Sequence, residues 1–220
     1  MALPTYEAAR TEMSMFDALL KARADHGKDK EILWDANDDR KLTYNEIVRG
    51  AFALGHALTR STAKGETVAI MLPTGAAAVI AFFALHAFGR VPAMLNFTAG
   101  ERALVAALKL GNIKTVLTAK RFIEIGKLED LIGELGQHAN MVLLDELREK
   151  LTLGDKMTAL FGSYLPGLFR ARKKASDTGV ILFTSGTEGD PKGVVLSNQN
   201  ILANVEQVRC HIELFDTDIV

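Results

Sequence analysis

From Val68 onward, short apolar runs alternate with helical ones, and few architectures accept that order. Val68 to Leu72 reads as a strand, closed by Pro73-Thr74-Gly75. Residues 76–88 read as a buried helix, since Ala76 to Leu85 is the most apolar window in the chain. That window is much shorter than the ~20 residues a membrane-spanning helix needs, and His86 and Arg90 bound it. Val91 to Leu95 follows as a strand after the stop at Gly89, then a helix over residues 100–110 and a strand from Thr115 to Thr118. Further helical segments precede another strand, Met141 to Leu144. The alternation predicts an α/β fold, a largely parallel sheet flanked by helices. Ligands of such sheets lie beyond the carboxyl ends of the strands.

The flanking regions carry local signals. Ser14-Met15-Phe16-Asp17 resembles a capping box opening a helix to about Asp25, with Phe16, Leu19 and Leu20 on its apolar side. Ile32 to Trp34 reads as a short strand and Asn37-Asp38-Asp39 as a turn. In Leu42-Thr43-Tyr44-Asn45-Glu46, Thr43 can cap Glu46, Glu46 can reach back, and Leu42 can staple against Ile47. Ile47, Ala51, Leu54 and Leu58 then form a helical stripe. A last helix runs from Asn200 to about Ile212, with Ser197 or Asn198 as its cap.

Between Val180 and Leu196 the pattern changes. The apolar run ending at Phe183 gives way to Thr184-Ser185-Gly186-Thr187-Glu188-Gly189-Asp190-Pro191-Lys192-Gly193, and a second apolar run begins at Val194. This reads as strand, loop, strand, with a loop too long and too rich in hydroxyls for a tight hairpin. Gly186 and Gly189 allow successive N–H groups to converge on an anion. Thr184, Ser185 and Thr187 add hydroxyl donors, and Pro191 anchors the backbone before the cation of Lys192. Such a loop is either a solvated connector or a polyphosphate site. Its density of donors and its proline-anchored lysine favour phosphate. It is not a P-loop, because Pro191 and Gly193 replace the required glycine and hydroxyl residue and a strand follows. Nor does Ser185 carry the flanking glycines of a nucleophile elbow.

The segment from Thr184 to Gly193 resembles the phosphate loop of the AMP-forming adenylating enzymes, the acyl-CoA synthetase and luciferase superfamily. Leu42-Thr43-Tyr44-Asn45-Glu46 is similar to a signature near the start of those enzymes. Met71-Leu72-Pro73-Thr74, the string from Gly89 to Gly100 and the string from Ser197 to Gln207 look closest to the acyl-acyl carrier protein synthetase part of bacterial 2-acylglycerophosphoethanolamine acyltransferases. The resemblance implies the amino-terminal part of an adenylate-forming large domain, divided into a first α/β subdomain over residues 1–175 and the start of the next over 176–220. It implies ATP and magnesium as cofactors, with Thr184, Ser185, Gly186, Thr187, Glu188, Gly189 and Lys192 on the ATP phosphates. Glu188 stands where many members carry Thr, and its carboxylate is expected to point away from the phosphates. The implied substrate is a fatty acid, activated as acyl-AMP and passed to acyl carrier protein or to CoA, then onward to a lysophospholipid. The family's adenine, ribose and catalytic-lysine segments lie further along such enzymes than Val220, as does the magnesium ligand. An amino-terminal fragment with no adenylation of its own is therefore expected. Other adenylating enzymes, and a non-enzymatic membrane or carrier-docking module, remain as alternatives.

Composition sets further bounds. Among 220 residues, 26 basic and 27 acidic side chains give a net charge of −1, which argues against nucleic acid as a partner and against a membrane-coating role driven by bulk charge. The single Cys210 permits no internal disulfide, and no signal-peptide pattern opens the chain, so a cytoplasmic setting is expected. No metal-ligand spacing occurs locally. His26, His56, His86, His138 and His211 read as structural or surface residues. Residues 155–174 stand apart. Met157, Leu160, Phe161, Tyr164, Leu165, Leu168 and Phe169 fall at helical spacing around Pro166-Gly167, ahead of Arg170, Arg172, Lys173 and Lys174. This segment is either an excursion packed on the domain or a peripheral contact with the inner face of the cell membrane.

Overall fold

The computed structural model of the chain describes residues 4–36, 38–184, 191–213, 215, 218 and 219. Ten α-helices run through these residues. They are α1 Met15–His26, α2 Tyr44–Leu58, α3 Ala76–Ala87, α4 Glu101–Leu110, α5 Lys120–Gly126, α6 Glu129–Leu135, α7 Leu144–Glu149, α8 Leu153–Tyr164, α9 Pro166–Phe169 and α10 Asn198–His211. The strands are β1 Glu31–Asp35, β2 Arg40–Thr43, β3 Thr67–Ile70, β4 Val91–Met94, β5 Thr115–Thr118, β6 Asn140–Leu143, β7 Thr178–Thr184 and β8 Lys192–Ser197.

Six strands form one sheet in the order β6-β5-β3-β4-β7-β8. Every neighbouring pair is parallel except β7 and β8, so the α/β expectation of a largely parallel sheet holds. Strand β3 shows why its sequence is continuously apolar rather than alternating. Ala69 joins a core with Met71, Ala93, Leu104, Leu108 and Val116 on one face. Val68 and Ile70 join Leu72, Ala81, Leu85 and Leu117 on the other. A parallel strand covered on both faces has no solvent side to fill with polar residues.

A third cluster forms where α1, β2, α2 and α3 meet, around Phe16, Leu42, Ile47, Val48, Phe52 and Ala84. Phe52 is its hub, with edge-on rings of Phe16 at 5.4 Å and Phe88 at 6.2 Å. The capping box at Thr43 and Glu46 is present in full, and Leu42 and Ile47 share this core as a staple would require. Two details differ from expectation. Residues 40–43 are also a strand, paired antiparallel with β1, because Thr43 can both end an extended ladder and cap the following helix. At α1, Ser14 accepts from the Asp17 N–H, but its hydroxyl donates to the Asp17 carboxylate, so the reciprocal backbone bond of a capping box is replaced.

Helix α2 is gripped on two sides. A Cβ at Gly55 would lie 2.3 Å from the Phe88 ring and 2.7 Å from the Ala84 carbonyl oxygen of α3. A Cβ at Gly162 of α8 would lie 2.7 Å from the Phe52 ring. The segment 155–174 is thus an excursion packed on the domain along one face. It breaks at Leu165, where φ is −126° and ψ 57°, and Pro166 opens the short α9.

Candidate functional site

The site is built from the β7–β8 pair. β7 lies parallel to β4, with Ala93 opposite Ile181 and Met94 opposite Leu182. Its carboxyl end therefore emerges on the same side of the sheet as the segments 71–75 and 95–100, which follow β3 and β4. That edge is where open α/β sheets bind ligands. β8 returns antiparallel, with Phe183 opposite Gly193 and Thr184 opposite Lys192.

The base of this pair is fastened by one buried amide. The side chain of Asn198 donates to the carbonyls of Lys174 at 2.9 Å and Asp177 at 3.2 Å, and its oxygen accepts from the Met15 N–H at 3.3 Å. Ser197 caps α10 in a box with Asn200, so the cap falls on the first of the two expected residues. Nearer the open end, the Phe183 ring reaches within 3.2 Å of where a Cβ would stand on Gly111, at the end of α4.

Thr184 and Lys192, both exposed, thus stand together at the open end of the pair. Lys192 has no acid partner among the described residues. An exposed hydroxyl and a cation on opposed residues at this open end fit an anionic phosphate. Ser185, Gly186, Thr187, Glu188 and Gly189 lie outside the described residues. The described residues gather no group of three or more His, Cys, Asp or Glu side chains suited to a metal ion. Two cavities, of about 210 and 170 Å³, lie one beside Lys109, Lys114 and His138 and one between α1 and α10, and neither is lined by Thr184 or Lys192.

Reasoning from sequence missed a polar cluster between α2 and α8. Asp155, fully buried, accepts from Arg60 at 2.8 and 3.1 Å and faces His56 Nδ1 at 2.6 Å. It also completes the box that caps α8 at Thr152. Burial alone would push this carboxyl up, but the bonds from Arg60, His56 and Thr152 outweigh it and hold the group well below the usual carboxylate range. Nothing in the local sequence links His56 to an acid 99 residues away. His138, by contrast, meets Glu134 at 3.4 Å one helical turn back, a pairing its spacing could have shown.

A model of the family described as AMP-binding enzyme matches residues 20–220. The chain belongs to the AMP-binding enzyme family. A sulfoacetate–CoA ligase of Cupriavidus necator is 27% identical over 209 residues, covering 89% of this chain and 38% of the relative. A 4-coumarate–CoA ligase of Vanilla planifolia is 28% identical over 177 residues, covering 77% of this chain and 30% of the relative. The chain therefore spans between 30% and 38% of the length of these relatives. Among solved structures, VinN superposes with a TM-score of 0.70 at 19% identity, covering 94% of this chain and 50% of VinN. The o-succinylbenzoate CoA synthetase of Bacillus subtilis, in complex with an acyl-adenylate intermediate, superposes with a TM-score of 0.61 at 22% identity, covering 84% of this chain and 43% of that enzyme. These likenesses place the fold as the amino-terminal region of adenylate-forming enzymes.

Proposed function

We propose that this chain carries the phosphate grip of an ATP-dependent, magnesium-assisted ligase that activates a carboxylic acid as its acyl-adenylate and passes the acyl group to a thiol. The observation that carries the reading is the pairing of Thr184 with Lys192 at the carboxyl edge of the sheet, in a chain of the AMP-binding family. In such a reaction a carboxylate oxygen attacks the α-phosphorus, and the bond from that phosphorus to pyrophosphate breaks. Charge gathers on the leaving pyrophosphate. The Thr184 hydroxyl and the Lys192 ammonium stabilise that charge without reorganising at the moment of reaction. Ser185, Gly186, Thr187 and Gly189 complete the grip with backbone and hydroxyl donors in this reading. No residue of the chain is assigned to magnesium.

The finer reading is a fatty acid substrate and an acyl carrier protein acceptor, supported by the strings at 71–74, 89–100 and 197–207. A CoA acceptor is the second reading, favoured by relatives named as CoA ligases. Lysophospholipid acylation and a peripheral position on the bacterial inner membrane belong with the first. ATP–pyrophosphate exchange by the full-length protein, driven by a series of carboxylic acids, tests the adenylation reading. Exchange with no acid of any chain length removes it. Supplying carrier protein or CoA as acceptor then separates the two finer readings.

A further inference from the structure

One face of α8 is left unused by the adenylation reading. Leu153, Met157, Phe161 and Tyr164 follow one another at steps of four, four and three residues, and all are exposed, Leu153 to 76% and Tyr164 to 72%. Leu165 and Leu168 extend this apolar surface across the break at Pro166, with Leu168 exposed to 80%. The opposite face of α8, made by Asp155, Ala159, Gly162 and Ser163, is buried. Six large apolar side chains on one short stretch are more than scattered surface residues.

The helix cannot roll to hide them. Gly162 lies flush on Phe52, and Asp155 is held by His56 of α2 and by Arg60 in the turn that follows it. A roll would tear a buried carboxylate from its partners and leave it unpaired in the interior. The stripe therefore stays on the outward face of the domain.

Charge names the occupant. From Lys150 to Lys174 the chain carries Lys150, Lys156, Arg170, Arg172, Lys173 and Lys174, and its only acid is Asp155, which faces inward. Arg170 is held by Asp17 at 2.8 Å and Lys150 by Glu146 at 3.0 Å. Lys156, Arg172 and Lys174 are exposed, and their charged ends pair with no acid among the described residues. A fluid lipid surface moulds to a stripe of long apolar side chains without needing a matching groove. Cations beside such a stripe match anionic headgroups.

We propose that the outward face of α8 and α9, with Lys156 of α8 and Arg172 and Lys174 just after α9, docks this protein on an anionic glycerophospholipid surface. Leu153, Met157, Phe161, Leu165 and Leu168 enter the acyl boundary, Tyr164 sits at the headgroup level, and the cations meet lipid phosphates. The inference stands on surface chemistry alone and does not depend on the phosphate loop.

Sedimentation of the full-length protein with phosphatidylcholine vesicles, with and without phosphatidylglycerol, tests it. Wild type is expected to pellet with the anionic vesicles and to be released by salt. The triple variant Lys156→Gln, Arg172→Gln, Lys174→Gln is expected to lose on the order of a hundredfold in partitioning. Leu168→Glu alone, at the most exposed position of the face, is expected to lose binding without disturbing α8. Acid-dependent ATP–pyrophosphate exchange and the melting temperature are expected to stay at wild-type values in both variants. Equal pelleting of wild type and variants overturns the proposal. So does a defect confined to acyl transfer onto carrier protein, which would give the face to a protein partner instead.

Discussion

Thr184 and Lys192 stand opposite each other as the last register pair before the β7–β8 connection. The ladder therefore sets the separation between a hydroxyl and a cation, whatever lies in the loop. On the adenylation reading, Lys192→Ala in the full-length protein removes one preorganised charge from the departing pyrophosphate. The expected loss is ~2.7–4 kcal/mol of transition-state stabilisation, about 10²–10³ in rate. It should fall mainly on kcat for acyl-adenylate formation and far less on KM for ATP, since the charge develops during the step. Pyrophosphate exchange at saturating acid measures this, and an unchanged rate would remove Lys192 from the site.

The grip on α2 predicts a contrast between two glycines of the same excursion. Gly162→Ala drives a methyl group into the Phe52 ring. Gly167→Ala meets nothing within 4 Å. Overpacking of this kind typically costs ~1–3 kcal/mol, while the second change should be near neutral. Urea unfolding of both variants against wild type decides the point. Equal midpoints would mean that α8 can slide off Phe52 without penalty.

The buried acid between α2 and α8 supplies a third test. Asp155→Asn keeps the shape but turns an amide toward Arg60 and His56, which are themselves donors. Both partners are partly exposed and can recover water, so the expected loss is about 1–3 kcal/mol. The folded-state carboxyl lies below its ordinary 3.8. Its contribution is thus complete above that value and disappears as pH falls through the folded-state value. A double-mutant cycle with Arg60→Ala measures the coupling. Additive losses would show that Arg60 and Asp155 do not support each other.

How much of this was readable beforehand follows from the range of each interaction. The Thr43 box, the α2 stripe and the strands at Val68, Val91 and Thr115 depend on residues a few positions apart, and local pattern displays them. The β1–β2 pairing, the amide bridge of Asn198 and the meeting of His56 with Asp155 depend on contacts between distant segments, which no periodicity encodes. The loop at Thr184 was legible as chemistry because its hydroxyls, glycines and lysine are consecutive. The parallel registers of β3, β4 and β7 carry Thr184 to the carboxyl edge, where the alternation of strands and helices puts a ligand. Residues 155–174 were legible as apolar and basic. The choice of which face is buried required Asp155 and Gly162 to be seen against α2.

His86 predicts a pH dependence of its own. The ring is 1% exposed, lies 4.6 Å from the Phe82 ring, and neither nitrogen has a hydrogen-bond partner among the described residues. Burial, reinforced by the nearby charge of Lys173 and only partly opposed by the Gly179 backbone, pulls its pKa from 6.5 down to about 4. The unfolded chain therefore binds this proton more readily than the folded one across that interval. Stability is complete above 6.5 and declines as pH falls toward 4, by about 2 kcal/mol between pH 7 and pH 5. In that upper range Asp155 and Glu206 remain ionised in the fold, since Arg209 holds Glu206 at about 2 and the bonds to Asp155 hold it well below its ordinary value. His86→Leu replaces the orphaned nitrogens with an apolar side chain of similar bulk, so stability at pH 7 should hold or rise. The same substitution should flatten the decline between pH 7 and pH 5. Urea midpoints of the two proteins at both pH values provide the measurement, and a decline of equal steepness in His86→Leu would assign the acid sensitivity to another group.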